Sequence, residues 1–298
     1  MDGILPLWKP EGFTSHDCVS KARGMLKTKK IGHTGTLDPD VEGVLPLCVG
    51  KATKIVPFLT DTDKVYEAVV TLGTATDTED SSGQIVESKE VTENIPYNEI
   101  EDHISSFQGE ITQTPPMYSA VRVNGKRLYE YAREGIEVDR PSRQVLIKEI
   151  SILSKDEEVV EGEMSFSLRV VCSKGTYIRT LCVDIGKTLG YPAHMSSLVR
   201  TKTGGITRDE CYTLAQVQEK ADEQKGKELL LPLSRGLSDM VSWEVDEEWK
   251  VMIQHGRVLT KPSHIDAETF AVVHDKEVIA IYQQHPSKPG YVKPVRVF

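Results

Sequence analysis

Apolar positions change their period several times along the 298-residue chain, and each change marks an element. Strict alternation reads as a half-buried strand, and spacing by three and four reads as an amphipathic helix. Lys64 to Leu72 alternates cleanly: Tyr66, Ala68, Val70 and Leu72 fall on one face, Val65, Glu67, Val69 and Thr71 on the other. That predicts a strand with Tyr66 near its start. Residues 165–173 repeat the pattern with Phe166, Leu168, Val170 and Cys172, and 145–153 predict a third strand. Helical spacing appears at Val19, Ala22, Met25 and Leu26, after a cap at Ser15 or Thr14, and again at Ala52, Ile55, Val56 and Leu59. Ile100, Ile104 and Phe107 predict a helix that Gly109 stops, and Ile178, Leu181, Cys182, Ile185 and Leu189 predict another running to Gly190. Asn124-Gly125 marks a hairpin, followed by a helix carrying Tyr129, Tyr131 and Arg133. Residues 214–227 read as a charged helix, and Leu229-Leu230-Leu231-Pro232-Leu233 as a boundary. From about Val241 a helix with Trp249, Met252 and Ile253 precedes short strands at 270–273, 278–282 and Tyr291–Val297, with a turn at 274–277. Short strands with tight turns predict a small barrel. The division expected is a large domain over 1–235 and a small one over 241–298.

Residues 32–46 obey neither period. Three glycines and two prolines predict an ordered loop there, and 73–83 predict a second, acidic one. Within the first loop Asp38 precedes Pro39, which pushes its backbone out of the helical region and gives the carboxylate a stiff mount. The residues alone leave two readings open: a turn, which Asp and Pro commonly begin, or a reacting group.

Net charge is −9, which taken as a sum argues against a nucleic-acid partner. The distribution argues otherwise. Lys21, Arg23, Lys27, Lys29 and Lys30 crowd before the first loop, and Arg122, Lys126, Arg127 and Arg133 form a second cluster. Acidic residues gather at Asp77, Glu79 and Asp80, at Asp156-Glu157-Glu158, and over 244–248. A basic face on an acidic body can bind phosphates with steep salt dependence, although a solvated helix face explains either cluster equally well. Five cysteines, odd in number and without a CxxC pair, predict neither a disulfide framework nor a structural zinc site. Ile4-Leu5-Pro6-Leu7 is too short for a signal-peptide core, and no apolar run approaches membrane-spanning length, so the expected compartment is the cytoplasm. No coiled coil or repeat is evident, and a monomer is expected.

The stretch from 32 to 54, GHTGTLDPDVEGVLPLCVGKATK, closely resembles the signature of the TruB family of tRNA pseudouridine synthases. Further resemblance lies in the Trp8-Lys9-Pro10 opening, in Lys64-Val65-Tyr66-Glu67-Ala68, and in the segments 73–83, 114–120, 175–181 and 197–201. The resemblance implies an α+β pseudouridine-synthase fold, with a mixed, mainly antiparallel central sheet flanked by helices and loops. It also implies a small C-terminal PUA-like β-barrel for RNA binding, matched by pattern more than by motif. Asp38 takes the place of the family's catalytic aspartate, Arg179 that of the arginine paired with it, and Tyr66 that of the tyrosine lying against the target base. Leu198 matches the apolar side chain lining the active site, and His33 the histidine that contacts the RNA loop and helps hold it open. Lys21, Lys29, Lys30, Lys126 and Arg127 would hold phosphates, setting position rather than sequence. The target implied is uridine 55 in the T-loop of tRNA. The compact C-terminus, with no lysine-rich tail, favours the stand-alone bacterial type over guide-RNA-dependent relatives.

That reaction breaks the bond from ribose C1′ to N1 and rejoins C1′ to C5 of the same base. No atoms are gained, so no metal, redox cofactor or nucleotide is expected. A carboxylate can attack an electron-poor C1′ or stabilise its charge. A neighbouring guanidinium would keep that carboxylate ionised and oriented. Arg179 falls in the first turn of its helix, where a cation opposes the helix dipole by about 0.3–1 kcal/mol, which points to a carboxylate nearby. The target base must leave its stack at a cost of a few kcal/mol. Tyr66 would stack on it and assist loss of the C5 proton. Attack on C1′, attack on the base and proton abstraction at C2′ all remain open. The competing classes are a non-catalytic RNA-binding or tRNA-folding protein, and a glycoside hydrolase using Asp40 or Glu42 as a second carboxylate.

Overall fold

The apolar run Gly3–Lys9 forms β1 and is buried along nearly its whole length, as expected for a strand covered on both faces. The structure, a computed structural model, describes residues 1–155 and 158–298; Asp156 and Glu157, two of the acidic run named above, lie outside the described residues. The chain forms two compact units, Met1–Thr62 with Lys202–Phe298, and Asp63–Thr201.

In the first unit α1 (Ser15–Met25) begins at Thr14, whose hydroxyl accepts from Asp17 N while the Asp17 carboxylate accepts from Thr14 N. This reciprocal cap satisfies two donors that a helix start leaves unpaired. Strands β2 (Ile31–His33) and β3 (Glu42–Val49) follow. β3 pairs antiparallel with β1 on one edge and β2 on the other. Cys18, Val19 and Ala22 of α1 pack on Leu5, Leu7, Leu45 and Leu47. Residues 32–46 are therefore not loop throughout: both ends are strand, and only 34–41 is irregular. Pro46 is accommodated because it faces Pro6 with both carbonyls turned away from the pair, to Thr34 N at 3.2 Å and to Tyr212 N at 2.9 Å. The β1–β3 ladder asks neither proline for an N–H. A 3₁₀ turn over Gly50–Ile55 leads into α2 (Val56–Thr60), burying Ala52, Ile55 and Leu59.

The second unit holds β4 (Lys64–Leu72), β5 (Thr74–Thr76), β6 (Ile85–Ser88), α3 (Tyr97–Ser105) and β7 (Gly109–Gln113). A hairpin of β8 (Arg122–Val123) and β9 (Lys126–Arg127) precedes α4 (Leu128–Arg133). Asn124 and Gly125 turn it with φ +51° and +83°, the left-handed geometry that an Asn-Gly pair supplies. β10 (Arg143–Lys155), β11 (Met164–Cys172), α5 (Ile178–Thr188) and β12 (Ala193–Thr203) complete the unit. The strand order is β12-β4-β11-β10-β7. Tyr66, Ala68 and Val70 stand opposite Val170, Leu168 and Phe166, and α3 and α5 cover that face with Ile100, Ile104, Leu181 and Ile185. Two expectations need correction. The acidic loop 73–83 contains β5, hidden from periodicity because its partner β6 exposes Ile85 and Val86 to solvent. α3 ends at Ser105, and Gly109 opens β7 at φ +108° rather than stopping the helix.

The chain returns to the first unit through β13 (Ile206–Thr207) and α6 (Leu214–Asp222). α6 stops short of Lys227 because Gln224 turns left-handed at φ +61°. Then come β14 (Ser242–Glu244), α7 (Glu247–Gln254), β15 (Leu259–Thr260), β16 (Thr269–His274), β17 (Glu277–Gln284) and β18 (Tyr291–Val297). These strands form an open half-barrel in the order β14-β16-β17-β18-β15, filled by Trp243, Ile253, Phe270, Tyr282 and Val292. Ala271, Val278 and Ile281 of the same sheet pack with Ile4, Ala52 and Leu59.

Candidate active site

Asp38 is exposed at the tip of the irregular segment 34–41, and its carbonyl accepts from Val41 N at 3.1 Å. Pro39 thus occupies the second position of a β-turn, where its fixed φ suits the geometry. What holds this turn lies beneath it. Leu37 is buried, and its N–H donates to Ser15 Oγ at 2.9 Å while the same hydroxyl donates to Leu37 O at 3.3 Å. Pro39 O accepts from Gly12 N and from Lys9 Nζ, each at 2.9 Å, and Val41 O accepts from Lys9 Nζ at 2.7 Å. Lys9 is fully buried and also donates to Pro10 O. An ammonium and a hydroxyl, both inside, therefore clamp the residues on either side of Asp38 and leave its side chain outward. From sequence Lys9 has no role and Ser15 is only a candidate helix cap, a place that Thr14 takes in the structure. The Trp8-Lys9-Pro10 resemblance marked the place, but a buried lysine has no periodic signature.

Arg179 sits at the start of α5 and is 6% exposed. Tyr177, which caps this helix, offers no side-chain bond, and Gln113 brackets it instead, accepting from Tyr177 N and donating to Tyr177 O. The Arg179 guanidinium donates to Thr78 O and Tyr118 O, both at 2.8 Å, and lies 3.5 Å from Asp80 Oδ2. The other Asp80 oxygen accepts from Thr78 Oγ1 at 2.7 Å, Ser82 N at 3.0 Å and Ser82 Oγ at 2.5 Å. Those three donors lock the carboxylate so that its second oxygen faces the arginine. Beside it Glu79 Oε2 accepts from Thr180 Oγ1 at 2.7 Å. Burial pushes the Glu79 carboxyl above its usual value, opposed by the Thr180 hydroxyl and by the charges of Arg179 and Arg140. Asp80, in the same unit, is one carboxylate beside Arg179. Asp80 was legible only as part of an acidic run, since the turn that aims it is made by Thr78 and Ser82.

The remaining residues fall on both units. Tyr66 on β4 and Leu198 on β12 are half-buried and pack against the core cluster of the second unit. His33 ends β2 opposite Leu47, in the first unit with Asp38. Lys29 and Lys30 are exposed, and exposed Lys21 lies over the Phe13 ring at 5.4 Å. Lys126 pairs with Glu134 and lies over Tyr131 at 4.7 Å. Arg127 donates to Tyr129 Oη at 2.9 Å, and Arg133 lies over the same ring at 5.3 Å. Arginine and lysine interleaved with tyrosine make a surface suited to phosphates and bases, although a phosphate at Lys126 competes with Glu134. Among the described residues no helix is long and apolar enough to cross a membrane.

Set beside known proteins, this mixed α+β chain, with its clamped loop carrying Asp38 and Asp40 and its buried arginine seated on carboxylate and carbonyls, falls in the class of pseudouridylate synthases. Residues 23–178 match the family model for the N-terminal domain of TruB family pseudouridylate synthases, and 179–238 match that for the tRNA pseudouridylate synthase B C-terminal domain. The chain belongs to the TruB family. It is 54% identical over 300 aligned residues to a protein of Oceanobacillus iheyensis named tRNA pseudouridine synthase B, covering 100% of this chain and 98% of that one. A protein of the same name from Geobacillus thermodenitrificans is 50% identical, with 100% of both chains covered. Among solved structures, a chain from the crystal structure of a Cbf5–Nop10–Gar1 complex superposes with TM-score 0.76 at 27% identity, over 99% of this chain and 84% of that one.

Proposed function

We propose that this protein isomerises uridine 55 in the T-loop of tRNA to pseudouridine, without a guide RNA, with Asp38 as the essential carboxylate. The tRNA substrate is supported by the name shared by relatives that match the whole chain at 54% and 50% identity. The stand-alone mode is supported by that closeness, set against 27% identity to the Cbf5 chain. The observation that carries the chemical reading is the seat of Arg179, a buried guanidinium built from residues far apart in sequence. A guanidinium presents its N–H donors in a rigid planar fork suited to carboxylates, and the carbonyls of Thr78 and Tyr118 fix the plane of this one.

On this reading Arg179 orients Asp38, and Asp38 acts as the C1′–N1 bond breaks and C1′ bonds to C5. Tyr66 stacks on the extruded uracil and assists removal of the C5 proton, while N1 gains one, so the product is an isomer of the substrate. Leu198 lines the base pocket and His33 contacts the opened RNA loop. Lys21, Lys29, Lys30, Lys126 and Arg127 engage phosphates, and the half-barrel over 241–298 adds RNA contact. The enzyme works as a monomer. The test is incubation of unmodified tRNA transcript with wild type and Asp38→Asn, followed by chemical mapping of pseudouridine along the T-arm. Wild type should modify one T-loop uridine and Asp38→Asn none. Activity surviving in Asp38→Asn assigns the chemistry to another residue, and binding without modification by either protein leaves an RNA-binding protein.

A further inference from the structure

We propose that Glu79 is a positioning residue for Arg179, acting through Thr180 to hold the first turn of α5 against the turn between β5 and β6. The proposal rests on the reading above that Arg179 serves the reacting carboxylate. The guanidinium is fixed at its tip by Thr78, Tyr118 and Asp80, but where the side chain starts depends on how α5 begins. That helix has no side-chain cap. Thr180, the residue after Arg179, is buried, and its hydroxyl donates to Glu79 Oε2 at 2.7 Å.

Glu79 is itself tied down. Its N–H donates to Thr76 O at 3.2 Å, its carbonyl accepts from Met195 N at 3.0 Å, and its backbone is held left-handed at φ +64°. A non-glycine residue seldom adopts that conformation, which persists only where the surroundings impose it. Residues 179 and 180 of the helix thereby grip residues 78, 79 and 80 of the turn: Arg179 meets Thr78 O and Asp80 Oδ2, and Thr180 meets Glu79 Oε2. Without the Thr180–Glu79 bond the helix start can rock, and a small rotation there is magnified at the end of a long arginine side chain. The charged groups around Glu79 are Arg179 and Asp184 from α5, Arg140 ahead of β10, and Asp80 beside it in the turn. A partly buried carboxylate in such company, where a neutral side chain would pack with less cost, is what a positional rather than a stabilising role requires.

The test uses single-turnover pseudouridine formation on unmodified tRNA transcript, with tRNA affinity and folded fraction measured on the same proteins. Thr180→Val keeps the branched shape and removes the hydroxyl, Thr180→Ser keeps the hydroxyl, and Glu79→Ala removes the acceptor. The expectation is a rate lowered by about ten- to a hundredfold in Thr180→Val and Glu79→Ala at unchanged tRNA affinity, with recovery in Thr180→Ser. Arg179→Ala run alongside separates the two claims. If it turns over at the wild-type rate, the reading of Arg179 fails and Glu79 loses its purpose with it. If Arg179→Ala is inactive while Thr180→Val and Glu79→Ala keep the wild-type rate, the role of Glu79 alone is overturned. A rate loss that follows the folded fraction, or that Thr180→Ser does not recover, overturns it as well.

Discussion

Ser15 and Thr14 stand side by side at the start of α1, yet only one of them reaches the Asp38 loop. Ser15 Oγ is the acceptor for the buried Leu37 N–H at 2.9 Å, whereas Thr14 serves the helix by accepting from Asp17 N. Replacing Ser15 by alanine leaves Leu37 N–H buried without that acceptor, a desolvation cost of about 1–3 kcal/mol. The loss falls on the segment carrying Asp38, so it should appear first as local opening. At that cost amide exchange at Leu37 accelerates by about 5- to 150-fold. Thr14→Ala removes the cap and costs about 0.5–2 kcal/mol, a comparable loss placed on the helix. The two variants therefore match roughly in stability and differ in location. Hydrogen exchange at Leu37 and Val41 and single-turnover pseudouridine formation would be measured on both. Ser15→Ala should lose Leu37 protection and slow the reaction about tenfold or more, because a reacting group displaced by an ångström forfeits much of its alignment. Thr14→Ala should keep both. Equal slowing in the two variants, or unchanged Leu37 exchange in Ser15→Ala, would refute the idea that the hydroxyl clamps the loop.

Two further outcomes follow from burial. The Glu79 carboxyl is held above its ordinary value of 4.5 by burial, so the folded protein keeps that proton at a pH where the unfolded chain has released it. The stability concerned is intact below 4.5 and is lost as pH rises through the folded value, so Glu79→Gln, neutral throughout, should gain on wild type with rising pH. A gap in Tm that stays constant between about pH 4 and 8 would remove burial as the cause. The cysteines give a simpler readout. Burial pushes the Cys48 thiol to about 12 and Cys172 to about 11, and it raises Cys18 and Cys182 too, whereas Cys211 is half-buried. One thiol in the native protein should react with an aromatic disulfide reagent at mildly alkaline pH, and all five after denaturation. Fast reaction of two or more would show that the interior opens more readily than its packing implies.

Much of the chain was legible because its signals are local. β4 and β11 alternate apolar and polar residues since one face of each meets the core, and α5 repeats its apolar residues because a helix buries one stripe. Asn124-Gly125 specified its hairpin through backbone sterics alone. The periodic reading failed where pairing is made by backbone without an apolar face, as in β5 and β6, and where prolines sit in a strand, as at Pro6 and Pro46.

Asp38 was visible in one stretch because a turn before proline is a property of neighbours, and because the long motif around it carries the family resemblance. Its mount was not, since Ser15 lies 22 residues from Leu37 and Lys9 lies 30 from Pro39. The place of Arg179 at a helix start could be read from spacing, while its partners Thr78 and Tyr118, 101 and 61 residues away, could not. Periodicity records which side of a local element meets water. Hydrogen bonds between buried polar groups form only after distant segments have been brought together and dried, so the seats of Asp38 and Arg179 were decided by the tertiary structure.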